Sequence, residues 1–511
     1  MKEQLALLPG YLTAHLQLTL FALLAGVAIS IPAGIAITRS RRLERPVLGV
    51  ASVIQTIPSL ALLAVMVPAL SAIGLRSIGF LPAFIGLTLY SILPVLRNTV
   101  TGLAGLDPAL TEAARGVGMT SRQQLWRVEL PLALPVILAG LRTSAVWTVG
   151  MATLSTPVGA PSLGNYIFAG LQTRNLTAVL VGCVAAALLA LVLDGLVRGL
   201  GAAVLVRRKS SLVATLTVFA LLYTHAAVTF VTSANIAGSQ RIVVGAKTFT
   251  EQYILSRILS TTIAQATGQR VDVVSSLGST VVFDALRAGD IDAYVDYSGT
   301  IWATIMRRES AGVDRETVLE EVGRFLKEEH GIEVVGALGF ENAYAMAMRR
   351  AHADDLRIRT ITDLRPHASR MSVGGDYEFF QRAEWRAIQE SYGLSFREQR
   401  SMDPSLMYEA VANRQVDLIG AFSTDGRITA LDLVVLEDER RAIPPYDAVI
   451  LASSRLTREH PDAVRALRRL NGTIDADRMR RMNLAVDQDG KSPEAVAEEF
   501  VTQRLTVRDQ E

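Results

Sequence analysis

Six apolar stretches, near residues 12–37, 47–69, 78–97, 132–154, 176–198 and 211–232, occupy most of the first half of the chain. A bilayer core of roughly 30 Å takes about 20 apolar residues in helix, and each stretch is that long or longer. Charge is confined accordingly. Of 51 Lys+Arg and 49 Asp+Glu in 511 residues, positions 1–235 hold 16 and 6, and positions 236–511 hold 35 and 43. The net charge of +2 is thus +10 in the first part and −8 in the second. This division excludes an all-cytoplasmic soluble enzyme, a coiled-coil rod and a disordered protein. Pro32, Pro58, Pro82, Pro94 and Pro135 fall inside the stretches, which membrane helices tolerate when neighbouring groups re-satisfy the freed backbone. The first stretch is too long, and its N-terminus too poor in positive charge, for a cleaved signal peptide.

The loops fix an orientation. Arg39, Arg41, Arg42 and Arg45 follow the first stretch, Arg97, Arg115, Arg122 and Arg127 follow the third, and Arg198, Arg207, Arg208 and Lys209 precede the sixth. The opposite side holds only Lys2, Arg76 and Arg174. By the positive-inside rule the N-terminus, and everything after residue 232, lie outside. Arg142 and Asp194 fall near helix ends and are expected to snorkel toward the interface. Cys183, the single cysteine, allows no intrachain disulfide or Cys-based zinc site and packs as a small membrane residue.

Residues 107–131 are more structured than a connector requires. Asp107 or Thr111 can cap a short helix, Gly116 and Gly118 can end it, and Thr120 or Ser121 can cap another. Glu112-Ala113-Ala114, then Gly118, then Leu130-Pro131, resembles the EAA loop of ABC importer permeases. The resemblance implies that Glu112, Ala113, Ala114 and Gly118 dock on a separate cytoplasmic ATPase and transmit its closure. Residues 140–170 resemble permeases for glycine betaine and choline-like solutes. Pro161-Ser162 departs from the Gly-Ala-Gly-Gly-Leu-Gly turn common there.

After a polar linker at 236–240, strand-like and helix-like runs alternate: Arg241-Ile-Val-Val-Gly, a helix opening at Thr250, Val271–Ser275, Thr280–Ala288, Ile291–Val295. Such alternation predicts an α/β domain with a mostly parallel sheet. The expected organisation is an α-helical membrane domain over 1–235, with six transmembrane helices in the ABC permease fold. It is followed by a two-lobed α/β domain over 241–511 of the type II periplasmic-binding-protein fold. Lobe I is placed at about 241–345 and 447–511, and lobe II at about 346–446.

Several segments of the second half resemble the binding proteins of glycine betaine, choline and carnitine importers. They are Lys247-Thr-Phe-Thr-Glu-Gln252, Asp292-Ala-Tyr-Val-Asp-Tyr297-Ser-Gly-Thr300, Gly339-Phe-Glu-Asn-Ala-Tyr344, Asp417–Arg427 and Pro444-Pro445-Tyr446. A quaternary ammonium offers no N–H donor, so hydrogen bonds cannot select it. Stacked aromatic faces can, each contributing up to about 2 kcal/mol when desolvated. A carboxylate tail then needs a cation or backbone N–H groups. The resemblance places the cage on Tyr297, Tyr344, Phe422 and Tyr446, Arg382 near a ligand carboxylate, and Lys247, Gln252 and Thr300 along the cleft wall. Most relatives carry Tyr where Phe422 stands, so one hydroxyl is missing. Glu341, one turn from Tyr344, could meet a more polar ligand, which leaves room for a larger betaine such as ergothioneine, served by related fused proteins. Glu251 reads as a helix-start carboxylate, and Asp425-Gly-Arg427 as turn and hinge chemistry.

No Gly-x4-Gly-Lys-Ser/Thr loop occurs; the near miss ending Gly490-Lys491-Ser492 lacks its first Gly and instead reads as the N-cap of a helix over 493–504. The six His residues have no metal spacing, no nucleophile constellation is visible, and the clustered Arg follow membrane topology rather than a nucleic-acid patch. The chain therefore reads as a non-enzymatic importer subunit without cofactor or metal. The resemblance implies a multi-pass protein of the bacterial plasma membrane, its C-terminal domain extracytoplasmic. It also implies a homodimer served by a separate ATPase and a quaternary-ammonium osmoprotectant as ligand, with ergothioneine or another larger betaine as the alternative.

Overall fold

The computed structural model describes residues 2–173, 175–206, 208–237, 241–308, 313–376 and 378–508. Arg174, Arg207 and most of the expected linker (238–240) lie outside them. The chain divides into two compact units, 1–168 with 176–240, and 169–175 with 241–511.

Among the described residues of the first unit, five helices are long and apolar enough to cross a membrane: Leu5–Arg39, Phe80–Ala104, Ser121–Val158, Leu176–Leu205 and Lys209–Thr232. The second expected span is instead a pair, Arg42–Thr56 and Ser59–Ala72, bent by 99°. Pro58 is the cause. It drives Ile57 into extended backbone (φ −67°, ψ 128°), because a residue before proline is disfavoured in the α region. Counted as one span, the pair makes six.

Small residues bring the remaining helices together. A Cβ on Gly26 would fall 1.9 Å from Ser91 Oγ, and one on Gly140 would fall 2.6 Å from both Asn98 Cβ and Pro94 O. Arg142 and Asp194 do not snorkel apart. They form a two-pronged ion pair between helices Leu130–Ala152 and Leu176–Leu205, Nε to Oδ1 at 2.8 Å and Nη2 to Oδ2 at 3.2 Å. In an apolar medium each charge is cheapest beside the other. The turn at Pro161-Ser162 is held by side chains. Ser162 Oγ accepts from Gly164 N at 3.0 Å, Asn165 Oδ1 accepts from Ser162 N at 2.8 Å, and Leu163 N donates to buried His15 Nδ1 at 3.3 Å.

The second unit contains two five-stranded sheets. The strands are β1 Ile242–Lys247, β2 Val271–Leu277, β3 Ala293–Tyr297, β4 Glu333–Glu341, β5 Tyr344–Arg349, β6 Ser372–Gly375, β7 Glu398–Ser401, β8 Leu418–Phe422, β9 Leu433–Val435 and β10 Asp447–Ala452. One sheet runs β2-β1-β3-β10-β4 and the other β7-β6-β8-β5-β9. Each is parallel except for a single strand, β10 in the first and β5 in the second. The sheets are therefore mixed, and both lobes repeat one topology. The chain crosses between them at Asn342-Ala343, just before the expected position, and again between β9 and β10.

Asp292 anchors the first sheet. It is 1% exposed and accepts from Val243 N at 2.8 Å and from Arg455 Nε and Nη2 at 2.9 and 2.5 Å. Removing one partner of a buried pair destabilises strongly, less here because Arg455 is 38% exposed. Asp292→Ala is expected to cost about 2–3 kcal/mol. That lowers the calorimetric unfolding midpoint of the binding domain by roughly 4–10 °C. An unchanged midpoint contradicts the anchoring role.

Candidate functional site

In parallel α/β sheets, ligands gather at the carboxyl ends of the strands. Here those ends deliver aromatic side chains from both lobes. Tyr297 ends β3 and Phe422 ends β8, while Tyr344 and Tyr446 stand where the reversed strands β5 and β10 begin. Tyr344 and Phe422 are direct cross-strand partners, with ring centroids 5.2 Å apart, and Tyr446 meets Tyr344 edge-on at 6.2 Å. Tyr297 joins through a ring the sequence reading omitted. Phe249 stacks on it at 6.1 Å and on Phe422 at 6.1 Å with planes 6° apart. Phe249 lies in the turn after β1, at the same sheet edge as the other rings, which was the available signal. Tyr297, Tyr344 and Tyr446 are 4%, 6% and 2% exposed, and burial raises all three phenols well above their ordinary value. They remain neutral rings with O–H donors.

Each hydroxyl donates to a buried carboxylate: Tyr297 to Glu251 at 2.5 Å, Tyr344 to Asp376 at 3.2 Å, and Tyr446 to Glu384. Phe422, without a hydroxyl, makes no such bond. Gln252 fixes Tyr297 from the other side, its Nε2 donating to the phenol oxygen and to Val295 O, both at 3.0 Å. Gly299 lets Tyr446 approach the backbone, since a Cβ there would meet its ring at 2.6 Å and Pro445 O at 2.8 Å.

The cations are arranged unequally. Lys247 is buried behind Tyr297, its Nζ 2.5 Å from Asp296 Oδ1 and 5.5 Å from the Tyr297 ring centroid. Arg382 is the N-cap residue of helix Ala383–Tyr392 and is not on a solvated face, being 12% exposed. Its guanidinium lies 5.2 Å from the Tyr344 centroid. Nη2 binds Glu378 at 2.6 Å and Nη1 reaches Thr304 across the lobes at 3.4 Å. Among the described residues its buried Nε has no partner. Thr300 is buried in the turn after β3. Glu341 is turned to Arg315 at 3.0 Å.

Glu251 does occupy the first turn of helix Thr250–Thr267, but it is 2% exposed. No local signal marks that burial, because its partners lie far along the chain. Asp425 pairs with Arg427, and Arg427 stacks on Tyr408 at 4.0 Å. The Tyr408 hydroxyl in turn accepts from Phe422 N.

In the membrane unit, Asp107 rather than Thr111 caps helix Pro108–Gly116, accepting from Ala109 N at 2.9 Å, and Thr120 forms a capping box with Gln123. Gly118 adopts φ +79°, which explains a glycine there. Glu112 and Ala113 are exposed while Ala114 is buried, and Val117 (74%) and Trp126 (63%) are exposed. A π-helical turn, Leu125–Glu129, follows. Glu129 is buried there, accepting from Gln124 at 2.6 Å and from Arg39. Among the described residues no His/Cys/Asp/Glu group is arranged to hold a metal.

Residues 26–210 match the binding-protein-dependent transport system inner membrane component family, and residues 240–503 match the substrate binding domain of ABC-type glycine betaine transport systems. An ergothioneine transport permease/ergothioneine binding protein of Helicobacter pylori is 31% identical over 470 residues, 89% of this chain and 82% of the relative. A choline transport system permease protein of Bacillus subtilis is 42% identical over 180 residues, 35% of this chain and 80% of the relative. A carnitine transport binding protein of Listeria monocytogenes is 32% identical over 273 residues, 52% and 88% respectively. The chain thus belongs to the glycine betaine family of ABC importers, as a multi-pass membrane permease fused in one polypeptide to its substrate-binding domain.

Proposed function

We propose that the chain imports a quaternary-ammonium osmoprotectant of the glycine betaine, choline or carnitine class. One observation carries the reading: Tyr297, Phe422, Tyr344 and Tyr446 from the strand ends of both lobes, linked through Phe249, form a chain of neighbouring rings with centroids 5.2–6.2 Å apart. Ring quadrupoles hold a cation that has no N–H to give. Arg382, whose buried Nε has no partner among the described residues, would meet a ligand carboxylate and Tyr344 at once. The two lobes close on the ligand, the permease receives it, and a separate cytoplasmic ATPase supplies the driving energy. Helix Pro108–Gly116, with Glu112, Ala113, Ala114 and Gly118, is the docking element, and two copies of the chain form the pathway. The binding domain faces the extracytoplasmic side, a reading supported by the loop charges. The Helicobacter pylori relative spans both halves of this chain, which favours ergothioneine as the second reading.

Calorimetric titration of the binding domain with glycine betaine, choline, carnitine and ergothioneine, each beside its dimethylamino analogue, tests the cage. Binding should weaken on loss of a methyl, and Tyr297→Ala should raise the dissociation constant about 30-fold, the equivalent of about 2 kcal/mol. If a folded domain binds no quaternary amine, the cage is refuted.

The docking element is tested in the assembled transporter. Ala113→Glu places a bulky charge on the exposed face of the short helix. It should abolish ligand-stimulated ATP hydrolysis and uptake while leaving ligand affinity within about twofold. Undiminished stimulation would move the docking site elsewhere.

A further inference from the structure

Glu251 sits behind the cage and is unlike the other acids there. Asp376 is held by two backbone N–H groups at 2.7 and 2.8 Å, and Glu384 has Arg382 at 3.9 Å. Glu251 makes no ion pair among the described residues. Its shell consists of four neutral donors. Oε1 accepts from Tyr297 Oη at 2.5 Å and Asn342 Nδ2 at 3.0 Å; Oε2 accepts from Thr424 Oγ1 at 2.6 Å and Asn483 Nδ2 at 3.3 Å. These come from the end of β3, the crossing between the lobes, the loop after β8 in lobe II and helix Ala476–Asp487.

Burial pushes this carboxyl up, and the four hydrogen bonds offset part of that rise. Both oxygens face two donors each, a shell that favours the charged form. Tyr297 accepts from Gln252 and donates to Glu251, which fixes the direction of its O–H and places the negative charge at the far end of a cage ring. A buried charge without a counterion is expensive. A cation against the Tyr297 face would relieve that cost.

We propose that Glu251 is a charge-selecting residue, the fixed counter-charge of the bound cation. It favours a positively charged ligand over a neutral one of the same shape, and its shell is complete only when Thr424 of lobe II reaches Glu251 of lobe I. The inference rests on the cage reading above.

The test uses the full-length protein in nanodiscs and ligand pairs that differ only in the central atom: choline against 3,3-dimethylbutanol, and glycine betaine against 3,3-dimethylbutanoate. In Glu251→Gln the preference for the ammonium member should fall about tenfold or more, with the carbon isostere's own affinity within about threefold. Glu251→Asp, which keeps the charge, should retain the preference. Tyr297→Phe, which keeps the ring and cuts the hydroxyl link, should lower it part-way and serves if Glu251→Gln does not fold. Wild-type ammonium binding with an unchanged preference in these variants overturns the proposal alone. Wild-type protein that binds neither member of either pair overturns the cage reading, and the proposal with it.

Discussion

The proposed site depends on holding tyrosine rings still where their hydroxyls are buried away from solvent. A buried phenol must donate to something, and here each of the three tyrosines donates to its own carboxylate: Tyr297 to Glu251, Tyr344 to Asp376, Tyr446 to Glu384. The bonds remove rotational freedom from the rings before any ligand arrives, so less ordering remains to be done on binding. They also set acidic groups at the hydroxyl ends of rings whose faces are themselves electron-rich. Phe422 lacks both hydroxyl and acid and is placed by its backbone, through the Tyr408 hydroxyl and its register with Tyr344.

The same topology serves twice. Because β5 and β10 run against their neighbours, the crossings between lobes begin new strands at the edge where the parallel strands end. Tyr344 and Tyr446 therefore enter the cleft from the crossings, beside Tyr297 and Phe422 from the strand ends. Movement of one lobe relative to the other would change the spacing of these rings directly, which is the coupling a substrate-binding domain needs. The membrane unit follows another rule: with water excluded, helices approach through Gly26 and Gly140, and Arg142 finds Asp194.

What was legible in the sequence followed from local signals. Apolar length gave the membrane helices, capping residues gave the two short helices around Gly118, and family motifs pointed to four rings that the fold brings together. What was not legible depended on distance along the chain. The 99° bend at Pro58 reads as an uninterrupted apolar run, since proline is tolerated inside many membrane helices. Glu251 looks like an ordinary first-turn acid until Asn342, Thr424 and Asn483 converge on it from 91, 173 and 232 positions away. Lys247 reads as a cleft-wall group, yet Asp296, one residue before Tyr297, holds it underneath the ring. Phe249 was visible as a residue but not as a partner, because its neighbours Tyr297 and Phe422 come from different lobes.

The most direct measurement is a crystal structure of the binding domain with glycine betaine. The account predicts the trimethylammonium within about 6 Å of the ring centroids of Tyr297, Tyr344, Phe422 and Tyr446, with the carboxylate on Arg382. A ligand seated away from these rings, or reversed so that its carboxylate lies among them, would contradict it.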